Sequence, residues 1–147
     1  MSETVTLLVV DDDLIQRKAI KRAFRQREIQ NPIRMAEDGV EALEVLRGSG
    51  GQAPLQQPYL ILLDLNMPRM DGIEFLRELR QDPAHRDAIV FVLTTSREEE
   101  DRVKAYAQNV AGYIVRSDFG AGLQRVIDLL ESYWKVVEFP TDKRASQ

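Results

Sequence analysis

Three consecutive carboxylates, Asp11, Asp12 and Asp13, follow the apolar run Val5 to Val10, and a further one, Asp64, follows the apolar run Tyr59 to Leu63. If both runs are strands of one parallel sheet, the acids at their ends converge in one small volume. Like charges a few ångströms apart raise one another's pKa or recruit a cation, and an all-oxygen donor set without His or Cys suits Mg2+. Two more apolar runs end in Thr94 and Thr95, which offer hydroxyls, and in Arg116, which offers a fixed positive charge. A cation, a hydroxyl and a guanidinium around a carboxylate are the parts phosphoryl transfer needs, with Asp64 as the attacking group and an aspartyl phosphate as the product. Acids that follow strands also serve as helix N-caps, and that role suits Asp13.

Composition removes most other chemistries. The 147 residues are the length of one ordinary domain, and 44% hydrophobic with 30% charged residues is a soluble globular composition. With 20 Lys and Arg against 24 Asp and Glu, a net charge of −4 argues against direct nucleic-acid binding. The absence of Cys excludes disulfides, thiolate catalysis and Cys-ligated metal centres, and the single histidine, His85, excludes His-cluster sites. His85 lies in the polar segment Asp82 to Asp87 and reads as surface filler. No targeting signal is visible, and the apolar runs fall far short of the roughly 20 residues that span a bilayer, so a cytoplasmic protein without a membrane partner is expected.

The elements that must position these residues follow from periodicity. Short β-branched and leucine-rich runs alternate five times with segments of helical spacing. Strands are expected at Val5–Val10, Ile33–Ala36, Tyr59–Leu63, Ile89–Leu93 and Gly112–Val115. Helices are expected at Leu14–Arg27, Gly39–Arg47, Gly72–Arg80 and Arg97–Gln108, with a last one beginning near Phe119. Strands apolar on both faces, alternating with helices, indicate an α/β fold with a doubly wound five-stranded parallel sheet. Ser96 and Glu99 have capping-box spacing. Gly48 to Pro58, rich in Gly, Gln and Pro, reads as a flexible insertion, and the residues after Pro140 as a frayed tail.

Val9-Val10-Asp11-Asp12, the string Leu63-Asp64-Leu65-Asn66-Met67-Pro68-Arg69-Met70-Asp71-Gly72, and Val92-Leu93-Thr94 followed by Gly112-Tyr113-Ile114-Val115 closely resemble the receiver domain of two-component response regulators. The resemblance covers about residues 5 to 135 and implies a flavodoxin-like (CheY-like) sheet of order 2-1-3-4-5. It implies a receiver domain over 1–135, with 136–147 as an extension and tail. It further implies that Asp64 accepts a phosphoryl group from a sensor histidine kinase. Asp11, Asp12, Asp64 and the Asn66 backbone carbonyl would hold Mg2+. Thr94 would be the switch hydroxyl, chosen over Thr95 by its spacing from Asp64 and Tyr113, and Tyr113 the aromatic that follows it. Such a domain is not an enzyme in the usual sense, although it can catalyse its own phosphorylation and dephosphorylation. One departure stands out. Where the family has Lys followed by Pro, this chain has Arg116 followed by Ser117. The charge is kept, but a planar fork replaces an ammonium.

The last third resembles, more loosely, the stand-alone response regulators that partner bacterial and cyanobacterial phytochromes, through Ser117, Glu131 to Trp134, Val136, Val137, Phe139 and Pro140. That implies a phytochrome-type photoreceptor kinase as phosphodonor. In the last helix the apolar residues cover about half the circumference, wider than packing onto a sheet requires. The surplus points to a homodimer through Leu123, Ile127, Leu130, Trp134 and Val137, although Tyr133 and Trp134 also suit a core. Arg17, Lys18, Lys21, Arg22 and Arg25 of the first helix read equally as a kinase-docking face or a solvated one. Two alternatives remain open: a pseudo-receiver that docks a partner without phosphorylation, and a haloacid-dehalogenase-type phosphatase with Asp11 as nucleophile. An EF-hand over Asp64 to Gly72 fails, because Pro68 occupies a ligand position and Gly is missing from the sixth place.

Overall fold

The computed structural model describes residues 4–116 and 121–141. The chain runs β1 (Thr6–Val10), α1 (Leu14–Gln26), β2 (Ile33–Ala36), α2 (Gly39–Arg47), β3 (Tyr59–Leu63), α3 (Gly72–Gln81), β4 (Ile89–Thr94), α4 (Glu99–Ala107), β5 (Gly112–Val115) and α5 (Ala121–Val136). The strands form one parallel sheet in the order β2-β1-β3-β4-β5. The doubly wound parallel sheet is the one expected from the alternation of apolar runs and helical spacing, and its order is the flavodoxin-like one that the resemblance implied.

Because side chains alternate along a strand, each apolar run divides between two cores. Leu8, Val10, Ile61, Leu63, Val90 and Val92 are buried with Leu43 and Leu46 of α2 and Phe75, Leu76 and Leu79 of α3. Leu7, Val9, Leu60, Leu62, Phe91 and Leu93 are buried with Ile20 and Phe24 of α1 and Val126, Ile127 and Leu130 of α5. The register places Val10 beside Leu63 and Thr94 beside Val115, so β1, β3, β4 and β5 all end at one edge of the sheet.

The last helix uses its apolar width differently from the expectation. Ile127 and Leu130, expected at a dimer interface, are fully buried in this chain's own core. Trp134 packs on Phe24 with ring centroids 5.9 Å apart, Tyr133 meets Phe91 edge-on at 5.0 Å, and Phe139 folds back onto Tyr133 at 6.2 Å. Large aromatics need a wide contact stripe, which explains most of the surplus. Leu129, Val136 and Val137 stay exposed.

Three local expectations are corrected. The helix expected from Arg97 starts at Glu99, with Glu98 at the N-cap position. Ser96 forms no capping box with Glu99. Its hydroxyl donates to Asp101 Oδ2 at 2.6 Å and accepts from the Glu98 N–H at 3.3 Å, which spends it on the turn before the helix. His85 is no surface filler, since it is 3% exposed and its Nδ1 lies 2.8 Å from the phenol oxygen of Tyr59, a fully buried residue. A phenol in the core needs a polar partner, and His85 meets that need. The insertion at 48–58 sends Leu55 into the core and enters β3 through a cis Gln57–Pro58 bond. Ser117, the region near Phe119 and the tail from 142 onward lie outside the described residues.

Candidate functional site

At the edge where the strands end, Asp11, Asp12 and Asp64 each offer a carboxylate oxygen, and these atoms all lie within 4.8 Å of one another. Two full charges at that separation repel by about 3 to 4 kcal/mol at an effective dielectric constant of about 20. The cluster therefore holds a proton or a cation. Asp11 is 7% exposed, and burial pushes its pKa up to about 7, reinforced by the charge of Asp64 and opposed by the Asp13 N–H and by Arg116. Asp64 is raised as well. Burial is the largest cause and Asp12 adds to it, against hydrogen bonds from the Thr94 side chain and the N–H groups of Asn66 and Leu65. Among the described residues this is the only group of three or more acidic or imidazole side chains close enough to hold a metal ion. The donor set is all oxygen, which fits a hard divalent cation.

Local structure explains how each group is held. Asp13 is the N-cap of α1, its carboxylate accepting from the Ile15 N–H at 2.9 Å, as the sequence suggested, and so it is turned away from the cluster. Asp64 is fixed by the Leu65 N–H at 2.8 Å and by the start of α3 behind it. A Cβ on Gly72 would sit 2.6 Å from the Asp64 carbonyl oxygen and 2.7 Å from Leu65 Cα, so only glycine allows that helix to begin where it does. The Asp71 carboxylate and Glu74 close a capping box there. Asn66 is exposed on the same loop.

Thr94 ends β4 with its side chain buried, whereas Thr95 is exposed. The Thr94 hydroxyl also accepts from the Ser96 N–H at 3.3 Å, and the Ser96 carbonyl accepts from the Tyr113 hydroxyl at 3.1 Å. Asp64, Thr94, Ser96 and Tyr113 thus form a continuous polar path from the carboxylates to the edge strand. Arg116, at the end of β5, directs its guanidinium to α1, where Nη1 donates to Gln16 Oε1 at 2.8 Å.

Four participants escaped the sequence. Gln16 is one. Arg17, expected on a docking or solvated face, is 9% exposed, donates from Nη1 to the Asp11 carbonyl at 2.5 Å and pairs with Glu37 at 3.6 Å. Lys18, Lys21, Arg22 and Arg25 are exposed. The remaining two, Arg69 and Asp38, form a two-pronged ion pair, with Nε and Nη2 donating to Oδ2 and Oδ1 at 2.7 and 3.2 Å. Burial raises Asp38, but the Arg69 fork and the Glu41 N–H outweigh it and hold the carboxyl below its usual range. The fork ties the loop that carries Asn66 to the start of α2 and holds Arg69 at a left-handed φ of 60°. Spacing carried a signal for Gln16 and Arg17: both share a helical face with Ile20, Ala23 and Phe24.

A parallel sheet of this order with a carboxylate triad at its carboxyl edge, a buried hydroxyl and a terminal cation defines an α/β domain of the receiver type. The chain belongs to the response regulator receiver domain family, whose model matches residues 7–128. It is 32% identical over 128 residues to the response regulator Rcp1 of Synechocystis, covering 87% of each chain. A structure of the phosphorylated cyanobacterial phytochrome response regulator RcpA superposes with a TM-score of 0.85 at 31% identity, over 95% of this chain and 100% of that one. The Mn2+-bound form of Rcp1 superposes with a TM-score of 0.81 at 31% identity, over 92% and 99%. Family membership decides against the phosphatase alternative. Among the described residues no helix is long and apolar enough to cross a membrane.

Proposed function

We propose that this chain is a single-domain response regulator that accepts a phosphoryl group on Asp64 from a sensor histidine kinase of the phytochrome photoreceptor type. The observation that carries it is the juxtaposition of Asp11, Asp12 and Asp64 within 4.8 Å, with Asp64 hydrogen-bonded by Thr94 and the Asn66 N–H. In the reaction, an Asp64 carboxylate oxygen forms a bond to phosphorus as the bond from phosphorus to the donor's imidazole nitrogen breaks, and the leaving imidazole regains its neutral form by taking a proton. Asp11, Asp12, Asp64 and the Asn66 backbone carbonyl are the residues that would hold Mg2+. When bound, the ion neutralises the carboxylates and the charge on the phosphoryl oxygens. Thr94 and the Asn66 N–H supply donors to those oxygens, and Arg116 supplies the balancing charge. Occupation of the Thr94 hydroxyl by a phosphoryl oxygen would compete with its place in the path to Ser96 and Tyr113, which converts chemistry into conformational change.

The likeness to RcpA supports the phytochrome-type donor. A homodimer, if formed through the last helix, has Leu129, Val136 and Val137 available, flanked by the half-buried Leu123 and Trp134. The test of the function is mass spectrometry after treatment with acetyl phosphate and Mg2+. The wild type should gain one phosphoryl group, mapped to Asp64, and Asp64→Asn should gain none. A label on Asp11, or an Asn variant that labels normally, refutes the assignment. An unlabelled wild type favours a docking module that works without phosphorylation.

A further inference from the structure

Arg116 is held by a residue that takes no part in the chemistry above. Gln16 lies in the first turn of α1, is 1% exposed, and accepts the Arg116 Nη1 hydrogen bond through Oε1 at 2.8 Å. The other end of the same amide, Nε2, is buried without a hydrogen-bond partner. A buried, half-satisfied amide is costly, so the charge-assisted bond to the guanidinium is what justifies a glutamine at this position. The Arg116 backbone is fixed, its N–H bonded to the Thr94 carbonyl at 2.7 Å, which leaves the side chain as the part that can move. The resting guanidinium is turned onto α1. An open cavity of about 280 Å³, lined by Gln16, Leu93, Ile114, Arg116, Val126 and Leu129, adjoins the pair. It gives the guanidinium room to leave and water room to replace it.

We propose that Gln16 is a positioning residue that holds Arg116 in a resting orientation, so that a phosphoryl group on Asp64 must win the guanidinium from the Gln16 carbonyl before the switched state forms. The proposal rests on Asp64 being the phosphoacceptor. It concerns the arginine that replaces the family's lysine: a guanidinium presents a planar fork to an amide oxygen, whereas an ammonium is a compact point charge with no such preferred partner. The hold lowers the affinity of the resting protein for a phosphoryl-like ligand and sets a threshold for activation.

The experiment titrates the full chain, in saturating Mg2+, with beryllofluoride as the phosphoryl mimic, followed by fluorine NMR. Wild type, Gln16→Leu, Gln16→Met, Arg116→Lys and the Gln16→Leu/Arg116→Lys double variant are compared. Gln16→Leu and Gln16→Met should bind about tenfold more tightly than wild type, the loss of one charge-assisted hydrogen bond. Their thermal midpoints should not fall, because an unpartnered buried amide has been removed. In the Arg116→Lys background the Gln16 change should alter affinity by less than about twofold, a dependence that a purely structural role would not produce. Unchanged or weaker binding by both Gln16 variants, or an equal effect in the Lys background, overturns the hold. A wild type that takes up neither beryllofluoride nor phosphate from acetyl phosphate overturns the phosphoacceptor assignment itself, and the hold with it. Normal wild-type loading with a flat Gln16 series overturns the hold alone.

Discussion

Replacing Asp11 by asparagine should stabilise the metal-free protein, by an amount that depends on pH. Asp11 titrates near 7 in the folded chain against an ordinary value of 3.8, so the folded state binds its proton more tightly than the unfolded state does. Stability from this group is complete below the unfolded pKa and is lost as pH rises towards the folded one. Between about pH 5 and about pH 7 the folded carboxyl largely keeps its proton while the unfolded one does not, so wild type loses about 1.4 kcal/mol per unit, roughly 2.5 kcal/mol in all. Water at the mouth of the site, onto which the exposed Asp12 opens, screens part of this, leaving about 2 kcal/mol. Asparagine matches the protonated acid in shape, can accept the Asp13 N–H, and has no proton to lose. Its advantage over wild type should therefore grow by about 2 kcal/mol across that interval in urea unfolding with a chelator present. Excess Mg2+ should reverse the order, since a ligand at 100 times its Kd adds about 2.7 kcal/mol to the protein that binds it. An advantage that is the same at both pH values, or an Asn variant equally stabilised by Mg2+, would refute this account of the cluster.

Two further substitutions probe the frame. Gly72→Ala forces a methyl against the Asp64 and Leu65 backbone and should cost about 3 kcal/mol in urea unfolding, with phosphorylation of Asp64 impaired because the loop must shift. A variant as stable as wild type would show that the helix start is adjustable. Tyr59→Phe deletes the phenol that meets His85 and should cost about 1 to 3 kcal/mol in thermal or urea unfolding. Labelling by acetyl phosphate should be unaffected, because Tyr59 opens β3 at the end of the sheet remote from Asp64.

Most of the fold was legible because each strand is short, apolar and bounded by turn residues; Ile33–Ala36, Gly39–Arg47, Tyr59–Leu63 and Gly112–Val115 have the limits read from periodicity alone. The carboxylate cluster was legible for a topological reason, since a parallel sheet brings the ends of separate strands together whatever their separation in sequence. Misreadings came where a side chain's partner is distant. Nothing in Asp82 to Asp87 announces that His85 lies against Tyr59, and the capping-box spacing of Ser96 and Glu99 could not reveal that Asp101 would take the serine hydroxyl. The width of the α5 stripe was read correctly. Which of the two readings, core or interface, applies to Tyr133 and Trp134 was not legible, because they find Phe91 and Phe24 on elements remote in sequence.

The two halves of the site differ in how firmly they are held, and that difference is what a switch requires. Asp64 follows a strand buried throughout and is backed by Gly72, while the Arg69–Asp38 fork clamps its loop to α2. Thr94 closes a strand whose last five residues are all buried. These parts cannot move without breaking a close-packed core. Tyr113 and Arg116 belong instead to the edge of the sheet, where every residue of β5 is only partly buried, and the neighbouring α4 buries Ala105 alone. Elements with little buried apolar surface open or repack at low free-energy cost. Under the proposed function, a phosphoryl group on Asp64 would compete for the Thr94 hydroxyl and for the Arg116 guanidinium and so would act on the weakly held edge from a rigid base. Its charge-assisted hydrogen bonds exceed the neutral one that keeps Tyr113 on Ser96, and a pair ionised on both sides exceeds the single bond from Arg116 to the neutral amide of Gln16. The conformational response should then be confined to α4, β5 and their loops, with β1, β3 and the start of α3 unmoved.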